Sequence, residues 1–294
     1  MRIDQTTTGR HWDSALNVNT DELTLNFRVR LIQITPASTS QGGLHIHNGV
    51  LNDGGERFTL LPWELGEWGN YQRQFTRVVE QAWNDRLWLY PNMPWYQSHP
   101  AASVETKRFG CRLSLTLTDD NPHVTFRCIK VGTGHRGNGF RSWASDQQRR
   151  GVLTHNDLRP EQFAYDSGDA VVRGRPTNLT PYQSRQTTVA HEFGHILRLG
   201  HVREGLVGCV ADTNAVVCYG RIHQERDDIM GTGDQVLPRH ARPWTRTLGL
   251  HLHPQTARDR RLRWTPLLSP VAFVIYSVDG QPPRPGGRIP TPIL

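Results

Sequence analysis

Lysine is almost missing from this chain. Lys107 and Lys130 are the only two among 294 residues, so arginine supplies 32 of the 34 basic side chains. Two explanations fit: a GC-rich genome, whose codons favour arginine, or a protein delivered into a foreign cell, which gains from lacking ubiquitin acceptors. Long apolar runs are missing too. Nothing approaches the roughly 20 residues that cross a bilayer. The opening M-R-I-D-Q-T-T-T-G-R has no apolar h-region, so a classical signal peptide is not expected. Cysteine is scarce. Cys111, Cys128, Cys209 and Cys218 never fall in C-x-x-C spacing, which argues against a second zinc site. They fall as two local pairs. Either they form two disulfides in an exported protein, or they are four buried thiols. The Gly-rich stretch 132–139 has no P-loop lysine, so it is read as a loop and not as a phosphate cradle.

What is present is basic. The net charge is +7 and the pI about 9.6, which leaves acidic substrates, nucleic acid and anionic membranes open as partners. The longest basic cluster, residues 258–263, is short and mixed, and reads as a solvated face. There is no recognisable nucleic-acid motif, so no nucleic-acid partner is expected.

The most informative stretch is residues 180–201, T-P-Y-Q-S-R-Q-T-T-V-A-H-E-F-G-H-I-L-R-L-G-H. Thr180 is a good N-cap and Pro181 a good first helical residue, so a helix is expected from Tyr182 to Leu199. His191 and His195 are four apart and share one helix face, where two imidazoles can hold one small cation. Glu192 places a carboxylate beside the metal's open position, as a general base. Gly200 can stop the helix and His201 can turn back as a third imidazole. Three protein ligands leave a fourth position for water, the pattern of a catalytic zinc. By composition alone, H-E-x-x-H is expected roughly 0.02 times in such a chain, so the motif carries weight.

His191-Glu-Phe-Gly-His195-Ile-Leu-Arg-Leu-Gly-His201 resembles the metzincin zinc-endopeptidase signature H-E-x-x-H-x-x-G-x-x-H. The stretch Asp227-Asp-Ile-Met-Gly231 resembles the methionine turn of that family. The resemblance covers residues 180–231. It implies Zn2+ held by His191, His195 and His201, Glu192 as general base and proton shuttle, and Met230 as a packing floor and not a ligand. It also implies a protein or peptide substrate. Two positions depart from the family. Arg198 stands where a glycine usually makes the left-handed turn towards the third ligand. Either Arg198 takes that conformation at a cost of about 1–2 kcal/mol, or Gly200 makes the turn instead; Glu204 and Glu225 are the alternative third ligands should His201 not bind. Thr232 stands where some members carry a tyrosine ligand.

The resemblance implies an α/β (α+β) fold: a twisted mixed β-sheet with a backing helix and an active-site helix, plus a small irregular C-terminal subdomain. Residues 1–20 read as a polar arm. Residues 21–201 read as the upper catalytic subdomain, 202–278 as a lower one with the methionine turn, and 279–294 as a Pro/Gly-rich tail. Leu23, Leu25, Phe27, Val29 and Leu31 alternate as a strand. Trp68, Tyr71, Phe75, Val78, Val79, Ala82 and Trp83 mark a helix over 66–90, and residues 109–131 read as a β-hairpin around D-D-N-P. That hairpin resembles the source of the family's substrate-aligning edge strand. A170-V-V-R is a candidate last strand, 236–250 a short helix interrupted by Pro243, and 271–278 a buried strand. His45 and His47 share one face but read as surface residues. The expected function is a zinc-dependent endopeptidase, exported by a non-classical route as a bacterial toxin or effector. The alternative is a catalytically weak zinc-fold binding protein.

Overall fold

The computed structural model describes residues 5–92, 108–165, 171–172, 175–176, 182–206, 209, 216–220, 222–251 and 263–269, apart from residues 18 and 138. The long alternating run forms the central strand. Two short strands precede it, β1 (Gln5–Thr7) and β2 (Asp13–Asn17), and it is β3 (Glu22–Gln33). Leu23, Leu25, Phe27 and Val29 are buried on one face, as a period of two requires. Residues 5–17 are therefore not a loose arm. Asp13–Asn17 pairs antiparallel onto β3, with Leu16 opposite Leu23, and Gln5–Thr7 pairs antiparallel onto Asp13–Asn17.

A separate three-stranded sheet comes next: β4 (His45–His47), β5 (Val50–Asp53) and β6 (Glu56–Thr59). His45 and His47 are exposed on it. Helix α1 (Glu67–Trp83) ends sooner than the aromatic periodicity suggested. The reason is a switch of period: Leu87 and Leu89 alternate and are buried in β7 (Leu87–Pro91). Tyr71, Phe75, Val79 and Trp83 form the buried stripe of α1, each contributing about 1.5–3 kcal/mol by removal from water.

The strands β8 (Phe109–Leu117) and β9 (Val124–Ile129) exist as expected, but they are not a hairpin. Both run parallel to β3, on its opposite edges. Leu117 and Val124 each lie opposite Val29, so β8 covers the lower half of β3 and β9 the upper half. The D-D-N-P loop carries the chain across the middle of β3. Thr118 N–H bonds to Val29 O at 2.9 Å and His123 N–H to Arg28 O at 2.7 Å. Parallel neighbours normally need a dozen or more connecting residues. The chain avoids this because it never returns to the start of β3. Cys111 and Cys128 therefore lie opposite Leu23 and Gln33, far apart along the strand, and both are buried free thiols, not a pair.

The sheet continues through β10 (Trp143–Ser145) and β11 (Arg150–Thr154). Its order is β10-β11-β9-β3-β8-β7-β16, with β2 also against β3. Both ends of that order, β10 and β16, are antiparallel to their neighbours, and the strands of 109–131 lie inside the sheet. Two hairpins stand apart: β12 (Pro160–Tyr165) with β15 (Tyr182–Thr187), and β13 (Val171–Val172) with β14 (Arg175–Pro176). The remaining elements are α2 (Thr188–Ile196), α3 (His223–Arg226), α4 (Arg242–His251), β16 (Trp264–Leu268) and two 3-10 turns at Val216–Tyr219 and Pro238–Ala241.

Both larger helices of the first two thirds pack on one face of the sheet, because Phe126 meets Phe75 of α1 at 5.7 Å and Phe193 of α2 at 6.5 Å. The later residues are tied to the sheet. β16 pairs with β7, Trp244 of α4 donates to Arg112 O at 2.7 Å, and His251 reaches Ser14 Oγ at 2.9 Å. Pro243 is the second residue of α4 and so sits in its first turn, where no N–H is missed. The expected strand at 271–278, the tail 279–294 and the cap at Thr180–Pro181 lie outside the described residues. No helix among the described residues is long and apolar enough to cross a membrane.

Candidate metal centre

Residues 182–187 are extended, not helical. Ser184 and Gln186 point inward and Arg185 outward, the alternation of a strand, and β15 pairs with β12 along its length. The helix begins only at Thr188, with Thr187 as an extended N-cap. Asp157 O accepts Val189 N–H at 3.1 Å, which anchors the first turn to the sheet.

His191 and Glu192 are buried in α2, and His195 is half-buried one turn later. Gly194 is required by packing. A Cβ there would meet Met230 Sδ at 2.3 Å and Trp83 Cζ2 at 3.2 Å. The helix then closes in a Schellman motif. Leu199 N–H bonds to Gly194 O at 3.0 Å and Arg198 N–H to His195 O at 2.9 Å. The left-handed residue of that motif is Arg198, with φ 66°, and Gly200 does not make the turn. Arg198 therefore takes the place of the usual glycine, and the backbone still turns back towards His201. Its Nε donates to Asp146 Oδ2 at 3.1 Å.

His201 arrives buried beside the helix. Its Nε2 lies 3.3 Å from His191 Nε2 and 3.2 Å from His195 Nε2. Three ring nitrogens at this spacing cannot all be satisfied by one another. The far sides of two rings explain the arrangement. His191 Nδ1 donates to Ile229 O at 2.8 Å, and His195 Nδ1 donates to Leu199 O at 3.0 Å. Both protons are thus held on Nδ1, and both Nε2 lone pairs face the common centre. Burial, then the neighbouring His195 and His201, holds His191 well below the usual imidazole range, so it is neutral. The three histidines form a group that could hold a metal ion. Glu204 and Glu225, the alternative third ligands, are not part of it; Glu225 pairs with Arg203 at 2.8 Å.

The turn at Asp227–Gly231 supports the group from below. Asp228 is fully buried and its Oδ1 accepts Met230 N–H at 2.7 Å. Arg239 balances its charge, and His240 Nε2 lies 3.1 Å from Oδ1. Burial, with Arg239 beside it, pushes His240 down to about 3, so His240 is a neutral donor to Asp228. Its Nδ1 accepts Leu237 N–H at 2.8 Å. Thr232 is buried and bonded to Arg226 O and Ser184 Oγ, both at 3.2 Å.

Three neighbours were not singled out from the sequence. Gln186 Nε2 sits 3.1 Å from His191 Nδ1 and donates to Gly231 O at 2.8 Å. Tyr219 lays its ring 4.1 Å from that of His201 and 5.6 Å from that of His191. Arg141 donates to the Tyr219 hydroxyl at 2.5 Å. The signal for Tyr219 was indirect: it stands next to Cys218, which is disulfide-bonded to Cys209 with Cα atoms 5.3 Å apart. Nothing local in the sequence marks Arg141. The chain matches no protein-family model, no curated protein and no solved structure.

Proposed function

We propose that the chain is a zinc-dependent endopeptidase of metzincin type, acting on a protein or peptide substrate. The observation that carries this reading is the convergence of three histidine Nε2 atoms at 3.2 and 3.3 Å, with buried Glu192 on the same helix. Zinc bound by imidazole at about 2.0–2.1 Å in a tetrahedron separates its nitrogens by roughly 3.3 Å. His191, His195 and His201 would therefore hold it, and their carbonyl partners select the tautomer it needs. Bound zinc would supply Lewis acidity and an acidified water.

The chain's own residues supply the rest. Glu192 accepts a proton from the attacking water and returns it to the leaving amine nitrogen. Met230 and Gly194 close the floor in a contact that leaves no room for a side chain at 194. Tyr219 and Arg141 wall the histidine rings and present a hydroxyl and a guanidinium there. The Cys209–Cys218 disulfide supports an exported protein, since such bonds persist in oxidising compartments. With few lysines, this favours a secreted toxin or effector.

Glu192→Gln separates chemistry from metal binding. The variant is expected to retain bound zinc and to lose peptide cleavage by at least about a hundredfold. Cleavage at the wild-type rate would remove Glu192 from the mechanism.

A further inference from the structure

The turn at Arg198 also lines a cavity of about 250 Å³. Its walls come from three separate parts of the sequence: the segment before β2, the end of α2 and the first turns of α4. Arg10, Arg198, Arg242 and Arg246 all face it, with His11, Trp12 and several threonines, and no carboxylate lines it. Among the described residues, Arg10, Arg242 and Arg246 have no carboxylate partner, and Arg198 is shared with Asp146 at 3.1 Å. Gathering four guanidinium groups without matching counter-charge costs free energy through repulsion. A bound anion offsets that cost. His11 senses the same field: burial, then Arg198, lowers its pKa, Arg10 and Arg149 add to the effect, and Asp146 opposes it.

We infer that this cavity binds a small polyanion carrying two or more phosphate or sulfate groups, gripped by Arg10, Arg198, Arg242 and Arg246. Guanidinium forks pair bidentately with such oxyanions, which an ammonium cannot do. The volume falls just below the roughly 300–1,000 Å³ of pockets for drug-sized ligands, so the occupant is small. Arg198 is also the left-handed residue between His195 and His201. An anion that competes with Asp146 for its guanidinium acts directly on the turn that presents the third histidine. The inference is independent of the peptidase reading, and its test uses metal-free protein.

Metal-free full-length chain is titrated calorimetrically with sodium tripolyphosphate, wild type beside R242A/R246A. Both arginines are exposed, and circular dichroism checks that the variant folds. Saturable binding is expected, weakening with added salt and at least about tenfold weaker in the variant. Amide exchange at residues 197–202 is expected to slow when the anion binds wild type; unchanged exchange would remove Arg198 from the site. A second arm uses vesicles containing a phosphoinositide bisphosphate. Co-sedimentation of wild type but not of the variant, without tripolyphosphate binding, supports the same site with the phosphates on a lipid headgroup. Binding to neither probe, or equal binding by wild type and variant, overturns the inference.

Discussion

Asp157 is buried at the start of α2, where its carbonyl accepts Val189 N–H, and His240 is buried against Asp228 of the turn at Asp227–Gly231; their titrations act on stability in opposite directions. Burial pushes His240 down to about 3 from 6.5. Between those values the unfolded chain binds the extra proton, so this residue's contribution to stability rises with pH. Burial raises Asp157 to about 6 from 3.8. There the folded chain binds the extra proton, and stability falls as pH rises through that window. Asp157→Asn removes the second effect and leaves the first. Denaturation free energy measured from about pH 4 to about pH 6 should then climb more steeply than in wild type; an equal or flatter slope contradicts the assignment. At this scale, the grouping of His191, His195 and His201 was legible because their spacing is local. Gln186, Tyr219 and Arg141 were not, because only tertiary structure brings them to the rings. Arg198 was legible as a problem, and its φ of 66° is the answer to it.

Among the elements, α2 is the one whose packing makes the clearest demands. Gly194→Ala would stabilise an isolated helix by about 1 kcal/mol. Here the new methyl meets Met230 Sδ at 2.3 Å, so the variant is expected to lose about 1–3 kcal/mol in urea denaturation. A gain would show that Met230 does not floor the helix. The C-terminal turn makes a second demand. Arg198→Gly and Arg198→Ala both remove the side chain, but only glycine takes a left-handed φ freely. The glycine variant should be more stable by about 1 kcal/mol; equal melting would mean the turn is not left-handed. Strand positions were mostly legible from alternation, whereas partners were not. The pattern of β8 and β9 is identical for a hairpin and for two parallel neighbours of β3, because alternation reports which face is buried and not which edge is paired. The start of α2 was misplaced for a related reason. Residues 182–187 lack helix breakers, and the pairing with β12 that makes them a strand is non-local.

In the whole molecule, long-range contacts tie both ends of the described sequence to one sheet. β1 and β2 join the sheet from one end of the sequence and β16 from the other, while α4 hydrogen-bonds back to β2 and β8 through His251 and Trp244. The mixed α/β class was what the resemblance implied, with alternation and periodicity marking single elements, but such long-range closure has no local signature. Helix α2, the turn that follows it and the turn at Asp227–Gly231 bring three imidazoles around one small volume. Bound metal per chain tests that convergence most directly. Wild type and His201→Ala are purified without added zinc and measured side by side by mass spectrometry of the metal. About one zinc per wild-type chain, and far less in the variant, is predicted from three imidazole ligands. Wild type that takes up no zinc even when it is supplied, or a variant that holds it equally well, would contradict the three-histidine centre and the peptidase reading built on it.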